Sequence, residues 1–315
     1  MKVTAQTLYE TFHAALARHG MSDAQARSSA AVFVDAELQG KSSHGTFHLI
    51  DYLAALDKGA INGKAKPKVH LAGSVVHVDA DGGLSQFAVD QAMQQVVTTT
   101  REQGVAVCAI SNTYTTGELG WYPRAFARHG LVSMTTTNSP ALVALGSDGQ
   151  RVVGTNPTAF GVPGAMVMDQ AVSETAYLNV RQHAARNEEL PEGWAVDKHG
   201  HPTTDAQAAV DGAMLPFGGK KGANLALMSE VLALMAGGTS SLEVTENSAD
   251  GGQPRVSMFI LCLDPESFGG AQLVQDHLAQ LSADHGVYIP GRSRMNAARP
   301  REVDVDDDVW EKLYA

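Results

Sequence analysis

No G-x-G-x-x-G follows an apolar strand-like run in this sequence, and no G-x-x-x-x-G-K-[ST] occurs anywhere. The usual dinucleotide turn and the phosphate-cradling loop of nucleotide hydrolases are therefore missing. Cysteine is nearly missing too. Cys108 and Cys262 are the only two, each inside an apolar run (VAVCAI and MFILCL). Such thiols read as buried groups of a reducing compartment, not as a disulfide framework. No Cys/His cluster has zinc spacing, so no metal site is expected. No apolar run approaches the length of a membrane span, and no basic leader precedes an apolar core. Basic residues are scarce, 23 against 34 acidic, for a net charge of −11. That argues against nucleic acid or a membrane surface as partner. A cytoplasmic enzyme acting on a small molecule is the expectation.

What is present fits a folded enzyme. The chain has 315 residues, 44% hydrophobic and 18% charged, enough for one large domain or two moderate ones. Leu8, Phe12, Ala15 and Leu16 recur at helical spacing and Gly20 stops that helix. Ser22 is placed to cap a second helix with Ala26, Ala30, Phe33, Val34 and Leu38 as its apolar stripe. From about Pro67 the pattern turns to strands alternating with helices. Strands are predicted over 69–79, 105–110, 131–137, 160–162, 167–168 and 255–263, and helices over 86–101, 222–235, 273–281 and 306–314. This alternation predicts a layered α/β domain. The charged, Gly- and Pro-containing stretch 182–207 reads as an ordered surface excursion. Gly82 and Gly83, after the first strand, read as a plain strand-to-helix turn in preference to an anion site.

The densest chemistry lies in KSSHGTFHLIDYLAALDKGAIN, residues 41–62. Ser42, Ser43, His44 and His48 stand ahead of an apolar run. With 47–57 helical, His44 and His48 are four apart and share a face. An imidazole exchanges protons near neutral pH, which few side chains do. The competing reading is that the serines cap a helix and the histidines are solvated. Glu230, inside an apolar helix, reads as a paired structural carboxylate.

Several segments, in order, carry a family resemblance. They are SHG at 43–45 with Tyr52, GxxN at 59–62, GTNP at 154–157, PEGWAVD at 191–197, PTTD at 202–205, DGAMLPFGGKKGANLALMSEVLALMAGG at 211–238, and PG at 290–291. Together they resemble the malate/L-lactate dehydrogenase-like family of NAD(P)-dependent oxidoreductases, which is distinct from the Rossmann lactate and malate dehydrogenases. The resemblance implies a mixed-sheet α/β fold of the sulfolactate-dehydrogenase-like type with a helical part from both termini. The implied division is a helical N-terminal part with the SHG segment over 1–66, an α/β cofactor-binding domain over 67–270, and a C-terminal helical tail over 271–315 packing with the N-terminal part. It also implies a homodimer with sites near the subunit interface.

By the same resemblance His44 is the proton donor or acceptor, and Ser43 and His48 complete the catalytic group. Thr115 and Asn156 fall on the substrate side, with a turn as the other role for Asn156. Ser139, the DQAVS residues Asp169, Gln170, Ala171 and Ser173, then Lys221, Gly222, Gly291 and Arg292 fall along the cofactor. NADP is slightly favoured over NAD because Arg292 replaces the family's acidic residue after PG, with Arg294 close by.

Two departures bear on the substrate. His48 stands where relatives carry an arginine that can fork onto a carboxylate. Thr115 stands where they carry a second histidine. The leading reading is hydride transfer between nicotinamide and a small 2-oxo or 2-hydroxy acid. The alternatives are reduction of a cyclic imino acid, which asks less of a general acid, and a relative that binds a metabolite without catalysis.

Overall fold

A computed structural model describes residues 1–244, 253–296 and 300–314. Strand β1 (Lys2–Thr4) leads into α1 (Ala5–Arg18), capped by the Thr4 side chain, and α2 (Asp23–Leu38), capped by Ser22. A single 3-10 turn, Ser42–His44, precedes α3 (Thr46–Asp57). The predicted strand over 69–79 is instead a hairpin, β2 (Lys68–Ala72) and β3 (Val75–Asp79), because Gly73 with φ +61° turns the chain at its middle. Next come α4 (Ser85–Gln103), β4 (Val105–Thr113), α5 (Trp121–Ala127) and β5 (Val132–Thr137). Short strands β6 (Val143–Ala144) and β7 (Arg151–Val153) lead to the longer β8 (Thr158–Val162) and β9 (Met166–Gln170). The former surface excursion falls among α6 (Tyr177–Arg186), β10 (Ala195–Val196), β11 (Pro202–Thr203), α7 (Ala206–Asp211) and β12 (Ala213–Met214). The chain continues through α8 (Lys220–Met235), β13 (Val256–Leu263), α9 (Ala271–His285), α10 (Arg292–Asn296), β14 (Glu302–Asp304) and α11 (Asp307–Lys312).

The architecture is a mixed seven-stranded sheet in the order β2-β3-β4-β13-β5-β8-β9. Within this sheet, among the described residues, only β3 and β4 pair parallel, and α4 is the crossover that a parallel pair requires. The central strands β4, β13 and β5 pair antiparallel over long registers. Their inner faces pack Val76, Val78, Cys108, Ile110, Met258, Ile260 and Cys262 against Val89, Val96, Tyr122 and Phe126 of α4 and α5. Both cysteines are buried free thiols in that layer, and burial pushes Cys108 up to about 12. Each large apolar side chain sealed there stabilises the fold by about 1.5–3 kcal/mol.

A second core holds the N-terminal helices. Leu8, Phe12, Leu16, Phe33, Leu49 and Tyr52 meet Val305, Trp310 and Leu313 from the far end of the chain. β1 and β14 close this lobe as an antiparallel pair. A third core, with Val143, Val180, Leu190, Ala195 and Met214, underlies the five-stranded sheet β11-β10-β12-β6-β7. Sequence patterning missed this sheet because its strands are two or three residues long, too short to show a period of two.

Candidate active site

The SHG segment is held from outside itself. Neither serine caps α3. The buried carboxylate of Glu37, at the end of α2, accepts from the Thr46 amide at 2.5 Å, from the Thr46 hydroxyl, and from Ser42 Oγ at 2.8 Å. An acid at a helix N-terminus satisfies orphan amides and meets the positive end of the dipole. Gly45 is required there, since a Cβ would collide with the Glu37 side chain. His44 belongs to the 3-10 turn, just ahead of the helix expected over 47–57. Its ring still lies 5.9 Å from that of His48, centroid to centroid.

Ser43 Oγ shares a 3.1 Å hydrogen bond with His44 Nδ1, which leaves Nε2 to exchange a proton with a ligand. The His44 side chain is exposed, yet desolvation by the protein around it, and next His48, pull its pKa down to about 4, against smaller opposing effects of Asp169 and Glu118. His48 packs edge-on to Tyr52 at 4.8 Å and sits 3.7 Å from the Asp51 carboxylate. Tyr52 is fully buried, its phenol is pushed well above the usual range by burial, and its hydroxyl bonds Thr115 Oγ1. Ser85 Oγ donates to Thr115 O at 3.0 Å. His44, His48, Tyr52 and Thr115 thus form one contiguous row, with Thr115 fixed from two sides.

At Lys41, three residues before His44, opens a cleft of about 660 Å3, in the range of small-molecule and cofactor sites. It is lined by Asp169 and Gln170 of β9, by Gly291, Ser293 and Arg294, and by Lys41 and Arg124. The Pro290–Gly291 turn rides on the edge strand, where Val167 N donates to Pro290 O at 2.9 Å. Gly291 has φ +75°, and a Cβ there would stand 2.7 Å from Val167 O. Only glycine allows this approach, which leaves the wall of the cleft open to a planar or phosphorylated group.

Under the cleft runs an ion network that sequence reasoning missed. Lys41 Nζ lies 2.6 Å from Glu118 Oε1 and 2.6 Å from Asp169 Oδ2. Arg124 bonds the same Glu118 and reaches Asp35 Oδ2 at 2.6 Å. Burial acts to lower Lys41, but Asp169 and Glu118 outweigh it and hold the ammonium above its ordinary value. Burial likewise acts to raise Glu118, and Arg124 and Lys41 reverse it. These partners lie 77 and 128 residues from Lys41, so no local pattern announces them.

The other expected cofactor residues divide. The DQAVS segment runs beside the loop before α8: Phe217 N donates to Val172 O at 2.9 Å, and Ser173 bridges Pro216. This brings Ala171 and Ser173 toward the GGKKG turn, whose Lys221 is exposed and has no ion pair among the described residues. Gly222 starts α8 against the Phe217 carbonyl, a contact a side chain would block. Ser173 is buried, and its hydroxyl donates to Thr175 O at 2.7 Å. Ser139 Oγ accepts from Thr155 N at 3.0 Å and fixes the GTNP turn.

Two expectations are corrected. Asn156 is fully buried with φ +31°, and its amide donates to Ala226 O and, at 2.8 Å, to Glu230 Oε2. It pins α8 to the turn and offers nothing to a substrate. Glu230 also accepts from Ser241 N and Ser241 Oγ, both at 2.6 Å, so it is the structural carboxylate expected. Arg292 donates to Leu278 O of α9 at 3.2 Å instead of facing the cleft. Residues two apart on a helix point to nearly opposite sides, and Arg294 takes the cleft position.

The donor set fits a dinucleotide: backbone at an edge strand, a glycine opening, the cation Arg294 and short side chains along DQAVS. When bound, a nicotinamide supplies or accepts the hydride.

Residues 3–314 match the family model described as malate/L-lactate dehydrogenase. The chain is 35% identical over 314 residues to (2R)-3-sulfolactate dehydrogenase (NADP(+)) of Chromohalobacter salexigens, covering 96% of this chain and 94% of that one. It is 35% identical over 320 residues to the Delta(1)-pyrroline-2-carboxylate/Delta(1)-piperideine-2-carboxylate reductase of Pseudomonas putida, covering 98% and 93%. Among solved structures, delta1-piperideine-2-carboxylate reductase from Pseudomonas syringae pv. tomato superposes with a TM-score of 0.92 at 31% identity, covering 99% of this chain and 98% of that one.

Proposed function

Because this chain belongs to the malate/L-lactate dehydrogenase family, we propose that it transfers hydride between an NAD(P) nicotinamide and a small 2-oxo or 2-hydroxy acid. It is an NAD(P)-dependent dehydrogenase or reductase. The observation that carries the reading of its site is the placement of His44. It is hydrogen-bonded through Nδ1 to Ser43, and its backbone amide is tied to Lys41, which lines a cleft with Asp169, Gln170 and Gly291. In this reading Ser43 fixes the ring, His44 gives the proton to the new hydroxyl or takes it back, and the Asp169–Ser173 segment with Lys221 and Gly291 seats the dinucleotide. Arg294, exposed in the cleft, supports NADP over NAD because a guanidinium suits a phosphate monoester.

A second reading is favoured by a specific observation. Thr115 cannot serve as an acid and is committed to Tyr52, and His44 is neutral over most of the physiological range. A cyclic imino acid arrives already protonated and electrophilic, so this site suits it with His44 alone. A screen of 2-oxo acids and cyclic imino acids against NADPH and NADH, followed by nicotinamide absorbance, separates the two. Turnover lost in His44→Ala supports the assignment of His44. Full turnover in that variant sinks it.

A homodimer is also part of this reading. Leu227, Val231, Leu234 and Met235 of α8 are 50%, 54%, 42% and 69% exposed, and Leu273 of α9 is 70% exposed. So much apolar surface on two helices supports burial against a second copy. No described helix is long and apolar enough to cross a membrane. The free thiols support a reducing, cytoplasmic setting.

A further inference from the structure

We propose that Lys41 is a positioning residue of this site: its ammonium ties the turn that carries His44 to the strand that carries Asp169, and its charge offsets the carboxylates that face the imidazole. This rests on the reading of His44 as the proton-exchanging group.

The mechanical part follows from two connections. Lys41 precedes the 3-10 turn, and its carbonyl accepts from His44 N at 2.8 Å, so the backbone of one positions the other. Its side chain crosses to Asp169 of β9 and to Glu118 just before α5, with Nζ–O distances of 2.6 Å to each. The lysine side chain is only 26% exposed, and Glu118 is 1% exposed. A lysine head drawn out of water and held at two carboxylates is not an ordinary surface lysine, whose long stem keeps its rotamer freedom.

The electrostatic part follows from counting charges. His44 faces His48 from α3, Asp169 from β9, Glu118 from the segment before α5, and Lys41 from its own turn. Behind them Arg124 of α5 and Asp35 of α2 complete the network. Three carboxylates and two cations leave one negative charge. Without Lys41 there would be two. An imidazole beside unmatched carboxylates holds its proton more tightly. Lys41 adds to burial and His48 in keeping that proton loosely held, while leaving Asp169 at the wall of the cleft.

The test reads His44 directly. The Cε1–H resonance of His44, identified by its disappearance in His44→Gln, is titrated in the wild type, Lys41→Met, Lys41→Arg, Asp169→Asn and the Lys41→Met/Asp169→Asn double variant. Losing the cation raises the midpoint by on the order of one pH unit. Losing Asp169 lowers it, the double variant returns close to wild type, and Lys41→Arg stays close to wild type. Shifts of the same sign in the two single variants, or no shift in Lys41→Met, overturn the proposal. Should Lys41→Met not fold, Asp169→Asn decides alone, and a midpoint unmoved or raised is the overturning result. The titration needs no substrate. A protein that turned over no acid would refute the oxidoreductase reading and still leave this pattern readable.

Discussion

Replacing Arg124 by Met removes the one guanidinium that serves two buried carboxylates. Arg124 is 14% exposed, Asp35 7% and Glu118 1%. Met fills much of the same volume, so the loss is chiefly electrostatic. Asp35 loses this ion pair, and Glu118 is left with Lys41. Breaking one side of a buried pair costs about 3–5 kcal/mol, because the stranded charge stays out of water. With an unfolding entropy of about 2.1 cal/mol/K per residue over 315 residues, ~4 kcal/mol moves the thermal midpoint by ~6 °C. The pH dependence has a definite sign. Glu118 is held below its ordinary range in the fold: burial opposes this, and Arg124 and Lys41 together overcome burial. A carboxyl with a depressed folded pKa contributes stability that is present above its unfolded pKa of about 4.3 and is lost as pH falls through the folded value. The deficit of Arg124→Met is therefore full at neutral pH and shrinks in acid, where Glu118 takes up a proton. Circular-dichroism melts of both proteins at neutral and mildly acidic pH measure it, with Arg124→Lys as an intermediate that keeps charge without the fork. Equal midpoints at neutral pH, or a deficit that does not change with pH, would refute the network as a stabilising unit.

Gly291→Ala places a methyl 2.7 Å from Val167 O at a φ of +75°. It raises the KM for the dinucleotide about tenfold by pushing the turn off β9, with a stability loss of about 1 kcal/mol, measured by steady-state kinetics and a melt. Glu230→Ala strands Asn156 and Ser241 of their shared acceptor and costs about 3 kcal/mol, while both KM values stay near wild type. A tenfold rise in substrate KM would return Asn156 to the substrate side. For a 2-oxo acid, reductive kcat/KM falls about tenfold per pH unit above the His44 value of about 4, since the protonated ring is the acid. A flat profile to neutral pH would assign the proton to another group.

Most of the fold was legible because its elements are long enough to show a period. The stripe of α1 at Leu8, Phe12, Ala15 and Leu16 is wholly buried, and Ser22 caps α2 as its spacing implied. The hairpin of β2 and β3 was read as one strand because Val69, Leu71 and Val75 keep a period of two across Gly73. The two-residue strands of the smaller sheet left no period to find. At the site, the ordered SHG, DQAVS and GGKKG segments pointed to His44, Asp169 and Lys221. Asn156 and Arg292 were misplaced because a motif fixes where the backbone goes and not which way a side chain turns. Lys41, Glu118 and Arg124 were invisible for another reason. Their pairing is made by tertiary packing, which brings β9 and the segment before α5 to the turn that Lys41 precedes, and each alone is an ordinary charged residue.

The β1–β14 pair has a consequence for how the chain comes into being. Met1 N donates to Val305 O at 2.7 Å across 304 residues, and Trp310 and Leu313 fill the same core as Phe12 and Tyr52. During synthesis the helices that carry the histidines emerge first, yet they wait for nearly the whole remaining chain before their apolar faces are sealed. Contacts this distant in sequence form slowly and leave sticky surface open meanwhile. A chain cut between Asp304 and Trp310 would keep every residue of the cleft and still leave Phe12 and Tyr52 without Trp310 and Leu313, and so be a natural substrate for chaperones and proteases.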